Sequence, residues 1–249
     1  MADSAGVRTT RSYTVNFALP PLPPVTPTGL PATTGPQQQP TLQLGLSGTY
    51  PVDITGTVTL TFAADRGGDD PGVQFSSGGR IVVFTIPAGS NLATFPVPSL
   101  GVQTGTVAGV ITITATFQAA GTNITSTPAP SQQIRIPPSA PVVTSVRATR
   151  SGTQIQVVVT GYSTTREMTQ ALFHFTPASG ASLQTSDVTV PVTSIFAAWY
   201  SSPDAGSFGG QFTFTQPFII QGDPAASTSV TVTMTNTVGN SPPATANVQ

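Results

Sequence analysis

Three aspartates lie close together in one glycine-rich stretch, DRGGDDPG, which holds Asp65, Asp69 and Asp70. Hard carboxylate oxygens on a flexible loop are ligands that Ca²⁺ prefers, so this stretch predicts a calcium site. The spacing differs from that of an EF-hand loop. The alternative is a solvated turn in which the aspartates accept hydrogen bonds from nearby backbone N–H groups. We expect no other cofactor.

A second group of candidate residues is aromatic. Trp199 and Tyr200 are adjacent in the sequence, and Phe208 follows in the glycine-rich stretch SPDAGSFGG. If exposed, these rings would form a platform that stacks on sugar rings or on a partner protein. The alternative is that Trp199 belongs to the core of a β-sandwich.

Residues for catalysis are scarce. His174 is the single histidine, and the chain has no cysteine. No G-x-S-x-G elbow occurs, and no Ser–His–Asp arrangement can be assembled. Glycosidase chemistry needs two placed carboxylates, yet Glu167 is the one glutamate and most aspartates lie in turn contexts. We therefore expect no enzyme, and interpret His174 as a surface or edge histidine.

The elements that must position these residues are strands. Between Ile111 and Phe117 apolar residues alternate with threonines at a period of two. This pattern is typical of a strand with one face in a core and one in water. Similar short stretches recur at 8–12-residue spacing along the chain, which predicts an all-β protein with about seven strands in each half.

Composition excludes several classes of function. Only 7% of the 249 residues are charged, no lysine occurs, and the net charge is −1, so no basic surface for nucleic acid is expected. The apolar runs are too short to span a bilayer. The absence of cysteine and lysine, with a threonine-rich surface, favours an extracellular location.

Proline clusters indicate the domain organisation. Residues 20–40 contain eight prolines, which predicts an extended, partly polyproline II linker. The cluster at 137–141 predicts a second linker. These boundaries give an N-terminal tail with a strand (1–19), a linker (20–40), a first β-sandwich (41–136), a short linker (137–141) and a second β-sandwich (142–249).

The first predicted sandwich resembles a known kind of repeat. The run VQFSSGGRIVVFTIPAGSNLATFP, followed by GTVAGVITITATF, is similar to Ig-like repeats of large secreted bacterial surface proteins, and in part to Calx-β modules. The likeness covers roughly residues 41–136. It implies two tandem Ig-like β-sandwich domains and an extracellular structural or adhesive role. In Calx-β modules an aspartate-rich loop can hold calcium.

The N-terminal strand raises the question of self-association. Its alternating residues are Tyr13, Val15, Phe17 and Leu19, and it ends in a proline pair, as does the stretch 132–136 at the end of the first sandwich. Such a strand either folds onto its own domain or completes a neighbouring subunit by strand addition. The second option makes a head-to-tail contact that builds filaments.

The hypothesis that follows is an extracellular structural surface protein that self-associates into a fibre or tandem array through this strand. The alternatives are an adhesive module that binds glycan or protein, and a spacer fragment of a longer multi-repeat protein.

Overall fold

The computed structural model describes residues 11–13 and 18–249 of the chain. About 48% of residues are in strands and 7% in helices, which confirms the predicted all-β class with Ig-like sandwiches. Two hydrophobic cores form on either side of residues 137–141: the first draws its buried residues from Leu30 to Ile136, and the second from Ala148 to Met234.

The first sandwich contains nine strands. They are β1 (Val25–Thr28), β2 (Thr41–Leu46), β3 (Ile54–Ala64), β4 (Val73–Phe75), β5 (Ile81–Ile86), β6 (Leu100–Thr104), β7 (Gly109–Ala119), β8 (Thr122–Asn123) and β9 (Ser131–Ile136). One sheet has the order β1-β2-β6-β4. The other has the order β5-β3-β7, with β8 and β9 both paired to β7.

Strand β7 lies at the centre of this sandwich, as its alternation predicts. Ile111, Ile113 and Phe117 are buried, while the threonines between them lie on the outer face. The Phe117 ring meets Phe84 edge-to-face at 5.3 Å. Gly56 on β3 makes room for this packing, because a Cβ there would lie 2.2 Å from the Phe84 ring. The core of the first sandwich is therefore built around β7 and its partners.

The second sandwich contains seven strands, one helix and two short 3₁₀ turns. They are β10 (Val142–Ser151), β11 (Gln154–Tyr162), β12 (Gln170–Pro177), β13 (Asp187–Pro191), α1 (Thr193–Ser201), a turn at Asp204–Ser207, β14 (Gln211–Ile219), a turn at Pro224–Ala226, β15 (Ser227–Thr235) and β16 (Ala244–Asn247). The sheets have the orders β10-β11-β14 and β13-β12-β15-β16.

The two sheets of the second sandwich meet along one seam. The residues after β16 run parallel to β10, with a bridge between Ala148 and Val248. The Gln249 N–H donates to the Ala148 carbonyl at 3.0 Å, and the Arg150 N–H donates to the Gln249 carbonyl at 2.6 Å. Next to this seam, a hairpin across Ser151 and Gly152 joins β10 to β11, as the turn residues between two strand patterns predict.

The proline-rich segment 20–40 differs from the predicted free linker. Residues 25–28 form the edge strand β1 against β2, Leu30 is buried in the first core, and Thr33 bridges to Arg135 on β9. Proline is tolerated on an edge strand because one side needs no backbone donor. The segment is extended at β1 but turns at Gly29 and Gln37, and it is part of the first sandwich.

The sequence pattern also predicts strands at 92–97 and 187–197, and the structure differs from the prediction at both. Residues 92–97 make only isolated bridges, through Leu92 and Thr94, because the prolines at 96 and 98 cannot donate to a ladder. The predicted strand 187–197 ends at Pro191 and continues as α1, with Phe196 as its buried residue.

Half of the predicted N-terminal strand lies outside the described residues, since residues 14–17, including Val15 and Phe17, are not described. Of its other apolar residues, Tyr13 is 79% exposed, and Leu19 is half-buried against the first core.

Candidate functional site between the two sandwiches

The aspartate-rich loop connects β3 to β4 and lies at the junction of the two sandwiches. Asp65 forms a bidentate ion pair with Arg135, with both N–O distances at 2.6 Å. Asp69 pairs with Arg80 at 2.8 Å. Asp70 is 2% exposed and points into the junction. The three carboxylates are therefore not brought together around one ion.

The rest of the described chain offers no metal cluster either. Across 11–13 and 18–249, no group of three or more histidine, cysteine or acidic residues is placed to hold a metal. Calcium binding by this loop stays a prediction.

Asp70 is held entirely by groups of the first sandwich. Its Oδ2 accepts from the Thr106 N–H at 2.6 Å and from the Thr106 hydroxyl at 3.1 Å, and its Oδ1 accepts from the Gly72 N–H at 2.8 Å. A Cβ at Gly209 of the second sandwich would lie 2.5 Å from Oδ1. Glycine at position 209 is thus what allows the second sandwich to approach this carboxylate.

Arg166, between β11 and β12, is the main residue that the second sandwich contributes to the junction. It is 6% exposed, and its guanidinium donates to the carbonyls of Arg66, Gly68 and Asp69 in the first sandwich, and to Gly209. Burial lowers the pKa of Arg166, and the nearby Asp70 charge partly offsets this. A buried guanidinium thus holds the aspartate-rich loop against the second sandwich.

Backbone contacts complete the junction. The Ala108 N–H donates to the Thr164 carbonyl at 2.9 Å, and the Gly210 N–H donates to the Thr106 hydroxyl at 2.8 Å. In the connecting segment, the Ser139 N–H donates to the Thr164 hydroxyl at 2.8 Å. These bonds join three separate segments, so the two sandwiches are connected by much more than residues 137–141.

An aromatic groove opens beside this junction, with a volume of about 420 Å³. Trp199 and Phe208 lie along it, with ring centroids 5.8 Å apart. Phe208 is 48% exposed, and the Trp199 indole N–H donates to the Gln211 carbonyl at 3.1 Å, which fixes the ring. Gln37, from the proline-rich segment, contributes to the lining, so residues of both sandwiches line the groove.

The structure divides the predicted aromatic platform. Trp199 and Phe208 line the groove together, whereas the Tyr200 hydroxyl donates to the Gly210 carbonyl at 2.7 Å and faces the junction. Burial raises the pKa of Tyr200. Trp199 is half-buried and packs on the edge of the second core, between the two alternatives considered for it.

Sequence reasoning missed Tyr162, the last residue of β11. It is 7% exposed and lines the same groove. In the strand pattern Tyr162 is simply one more apolar position. Its neighbours in the groove are distant in sequence, so no local pattern indicates that they lie together. Its contribution emerges only from the fold.

His174 lies on β12 as an exposed residue, with its Nδ1 2.8 Å from an Asp187 carboxylate oxygen. This hydrogen bond lowers the pKa of Asp187. The flanking Phe173 and Phe175 are buried on the opposite face, as the alternation predicts. The pair is an exposed cross-strand contact.

The sequence matches no protein-family model and no curated protein. Among solved structures, the chain is similar to the class 5 fimbriae chaperone CfaA, with 9% identity and a TM-score of 0.31 over 91% of this chain and 99% of that one. It is also similar to the Salmonella enterica SafA pilin in complex with the SafB chaperone (12% identity, TM-score 0.29, 91% and 97% covered). Bovine butyrophilin is a third (13%, 0.27, 90% and 97%). At such low identities and TM-scores we infer no function from these neighbours.

Among the described helices, none has the length and apolar character needed to cross a membrane.

Proposed function

We propose that the chain is an extracellular structural surface protein, in which two tandem Ig-like domains act as one stiff unit that self-associates through the N-terminal strand. The observation that carries the structural role is the buried junction around Arg166 and Asp70. A flexible tether would need none of these contacts, because residues 137–141 alone would connect the domains.

The surface composition supports an extracellular role. Few residues are charged, and the outer face of β7 is lined with threonines. Strand surfaces of this kind need no disulfide or cofactor to fold, since packing and backbone ladders supply the stability.

Self-association rests on the sequence pattern of residues 12–19 and on where that segment joins the fold. Leu19 packs on the first core, and the Tyr50 hydroxyl donates to the Pro20 carbonyl at 2.8 Å, which anchors the segment from that point on. Tyr13 is 79% exposed. An alternating sequence before an anchored segment is suited to pairing with a second copy as an added strand.

The experiment compares the full chain with a Val15→Ser/Phe17→Ser variant of the same length. Size-exclusion chromatography with light scattering, and negative-stain electron microscopy, measure assembly over a range of protein concentrations. We expect concentration-dependent polymers from the full chain and a folded monomer from the variant, because two apolar side chains of the added strand are lost. A Thr10→Ser variant serves as the control. A full chain that stays monomeric at the highest concentrations contradicts self-association.

A second candidate function is an adhesive module, and the aromatic groove is the observation that favours it. A half-exposed Phe208 beside a fixed Trp199 is a common feature of ligand sites. This function predicts a ligand for the monomer, and it is tested independently of assembly.

A further inference from the structure

We propose that the groove lined by Trp199, Phe208 and Tyr162 binds an uncharged saccharide, with the Tyr162 hydroxyl as its polar anchor. This inference rests on the second candidate function and not on self-association. It assigns both a ligand class and an anchoring residue to the groove.

The aromatic wall has the geometry that a sugar ring requires. Trp199 and Phe208 are tilted by 42° to each other at 5.8 Å, so they form an angled surface and do not stack closely on one another. The C–H faces of a pyranose pack well on such rings. Because the Trp199 N–H is already bonded to Gln211, the indole is held in place before a ligand arrives.

Tyr162 provides the second observation. The residue is more than nine-tenths buried and lines the groove, yet its hydroxyl has no hydrogen-bond partner among the described residues. The hydroxyl is not fully enclosed by protein, so it is open to the groove and can exchange water for a ligand hydroxyl. Desolvation also raises the pKa of Tyr162, so the group stays a neutral donor.

The rest of the lining is mostly polar and entirely uncharged. Besides Gly161 and Phe212 it consists of Gln37, Thr144, Thr160, Gln211 and Thr213, with no acidic or basic residue. Such a lining pairs well with hydroxyl groups, which both donate and accept, and offers no counter-ion to a charged ligand.

The position of Gln37 is fixed by its backbone. Its backbone adopts a left-handed φ of +53°, and its N–H donates to the Gly105 carbonyl at 2.7 Å. This conformation brings the Gln37 side chain from the first domain to the groove of the second. A ligand in the groove would therefore contact both domains.

A proline-rich peptide is the other ligand that aromatic grooves commonly take. Its backbone offers few N–H donors, so the amide and hydroxyl acceptors of this groove would be left without partners. A saccharide supplies donors and acceptors at every ring, and the lining therefore favours it.

The single tryptophan of the chain lies in the groove and serves as the reporter. The full-length protein is titrated with cellohexaose, mannohexaose and chitohexaose, with oligogalacturonate as the charged probe and a proline-rich decapeptide as the rival. We expect a saturable change in tryptophan fluorescence with at least one neutral hexasaccharide and none with oligogalacturonate. The same samples are checked by light scattering, so that binding and assembly are scored separately.

Two variants test the assignment of residues. Tyr162→Phe removes one oxygen and should weaken binding up to about tenfold, as expected for the loss of one hydrogen bond to the ligand. Its matched control is Tyr13→Phe, at an exposed tyrosine of the first part of the chain. Phe208→Ala should weaken binding by at least about tenfold by removing half of the stacking surface, and Leu92→Ala, at an exposed apolar residue of the first sandwich, is its control.

Three results would overturn the proposal. If no neutral hexasaccharide gives a saturable change, the groove takes no uncharged saccharide of these kinds. If the decapeptide alone saturates, the groove is a peptide site, and the adhesive function survives without the saccharide. If Tyr162→Phe binds as tightly as the unmodified chain, the anchor is wrong.

Discussion

Asp65 and Asp70 occur in the same loop, five positions apart, and each is held by a very different environment. Asp65 makes a well-formed bidentate pair with Arg135, but both side chains are more than a third exposed. Asp70 forms no direct pair with an arginine; it is buried among backbone N–H groups, with Arg166 nearby. The comparison predicts that burial and partner number, more than ion-pair geometry, determine what a carboxylate contributes to the stability of this fold.

The largest expected effect is at the buried junction. Arg166→Ala removes the donors to four backbone carbonyls and the favourable charge that Arg166 presents to Asp70, so the free energy of unfolding should fall by about 3–5 kcal/mol. Backbone strain at φ +51° is similar for either residue and does not offset this. Urea denaturation measures the loss, and small-angle X-ray scattering measures the angle between the domains.

Phe117→Ala is the control for that experiment. It should cost a similar amount, about 3–5 kcal/mol, because Phe117 is fully buried in the first core. Its scattering curve should remain that of the unmodified chain, since the junction is untouched. If Arg166→Ala changes neither stability nor scattering, the junction does not hold the domains together.

The same substitution at two aspartates sharpens the comparison directly. Asp70→Asn keeps one oxygen acceptor but turns an amide donor toward a backbone N–H, so it should cost about 2 kcal/mol. Asp65→Asn breaks an exposed pair and should cost less than about 1 kcal/mol. Both are measured by urea denaturation under one buffer. Equal losses in the free energy of unfolding would mean that burial does not make Asp70 contribute more to stability than Asp65.

The smallest effect concerns the exposed pair of His174 and Asp187. The pKa of Asp187 is lowered in the folded chain, chiefly by its hydrogen bond to His174. Because the pKa is lower in the folded chain than in the unfolded chain, the ionised Asp187 stabilises the fold. This stabilisation is complete at pH values above the ordinary carboxyl pKa and is lost as the pH falls through the lowered pKa. Asp187→Asn should therefore lower the melting temperature slightly at neutral pH and not at all at strongly acidic pH. A constant difference between the two proteins across this range contradicts the assignment.

Much of the fold follows from local sequence. The alternation from Ile111 to Phe117 predicted β7 and its buried face, because a strand's inward positions depend only on a period of two. The sequence pattern does not predict helix α1, because a short apolar run such as SIFAAWY is compatible with a strand or a helix. The packing of this run on the second core determines that it is a helix. The proline-rich segment was predicted to be extended, but its attachment depends on Leu30 meeting a core formed by distant strands.

The site was less predictable than the fold. The residues that hold the aspartate-rich loop, Arg135 and Arg166, are 70 or more positions away in sequence. Trp199 and Phe208 were recognised as a pair of candidate aromatics because they are near in sequence. Tyr162 and Gln37 joined them only through the topology, which no local pattern encodes.

The parallel seam between β10 and the residues after β16 has a mechanical consequence. Tension that enters the second sandwich through Val142 and leaves through Gln249 pulls these two parallel segments in opposite directions along their length. The hydrogen bonds at Ala148 and Arg150 are then loaded together in shear, so they must break at the same time and not one after another. The second sandwich is thus braced against stretching along the direction of its own chain.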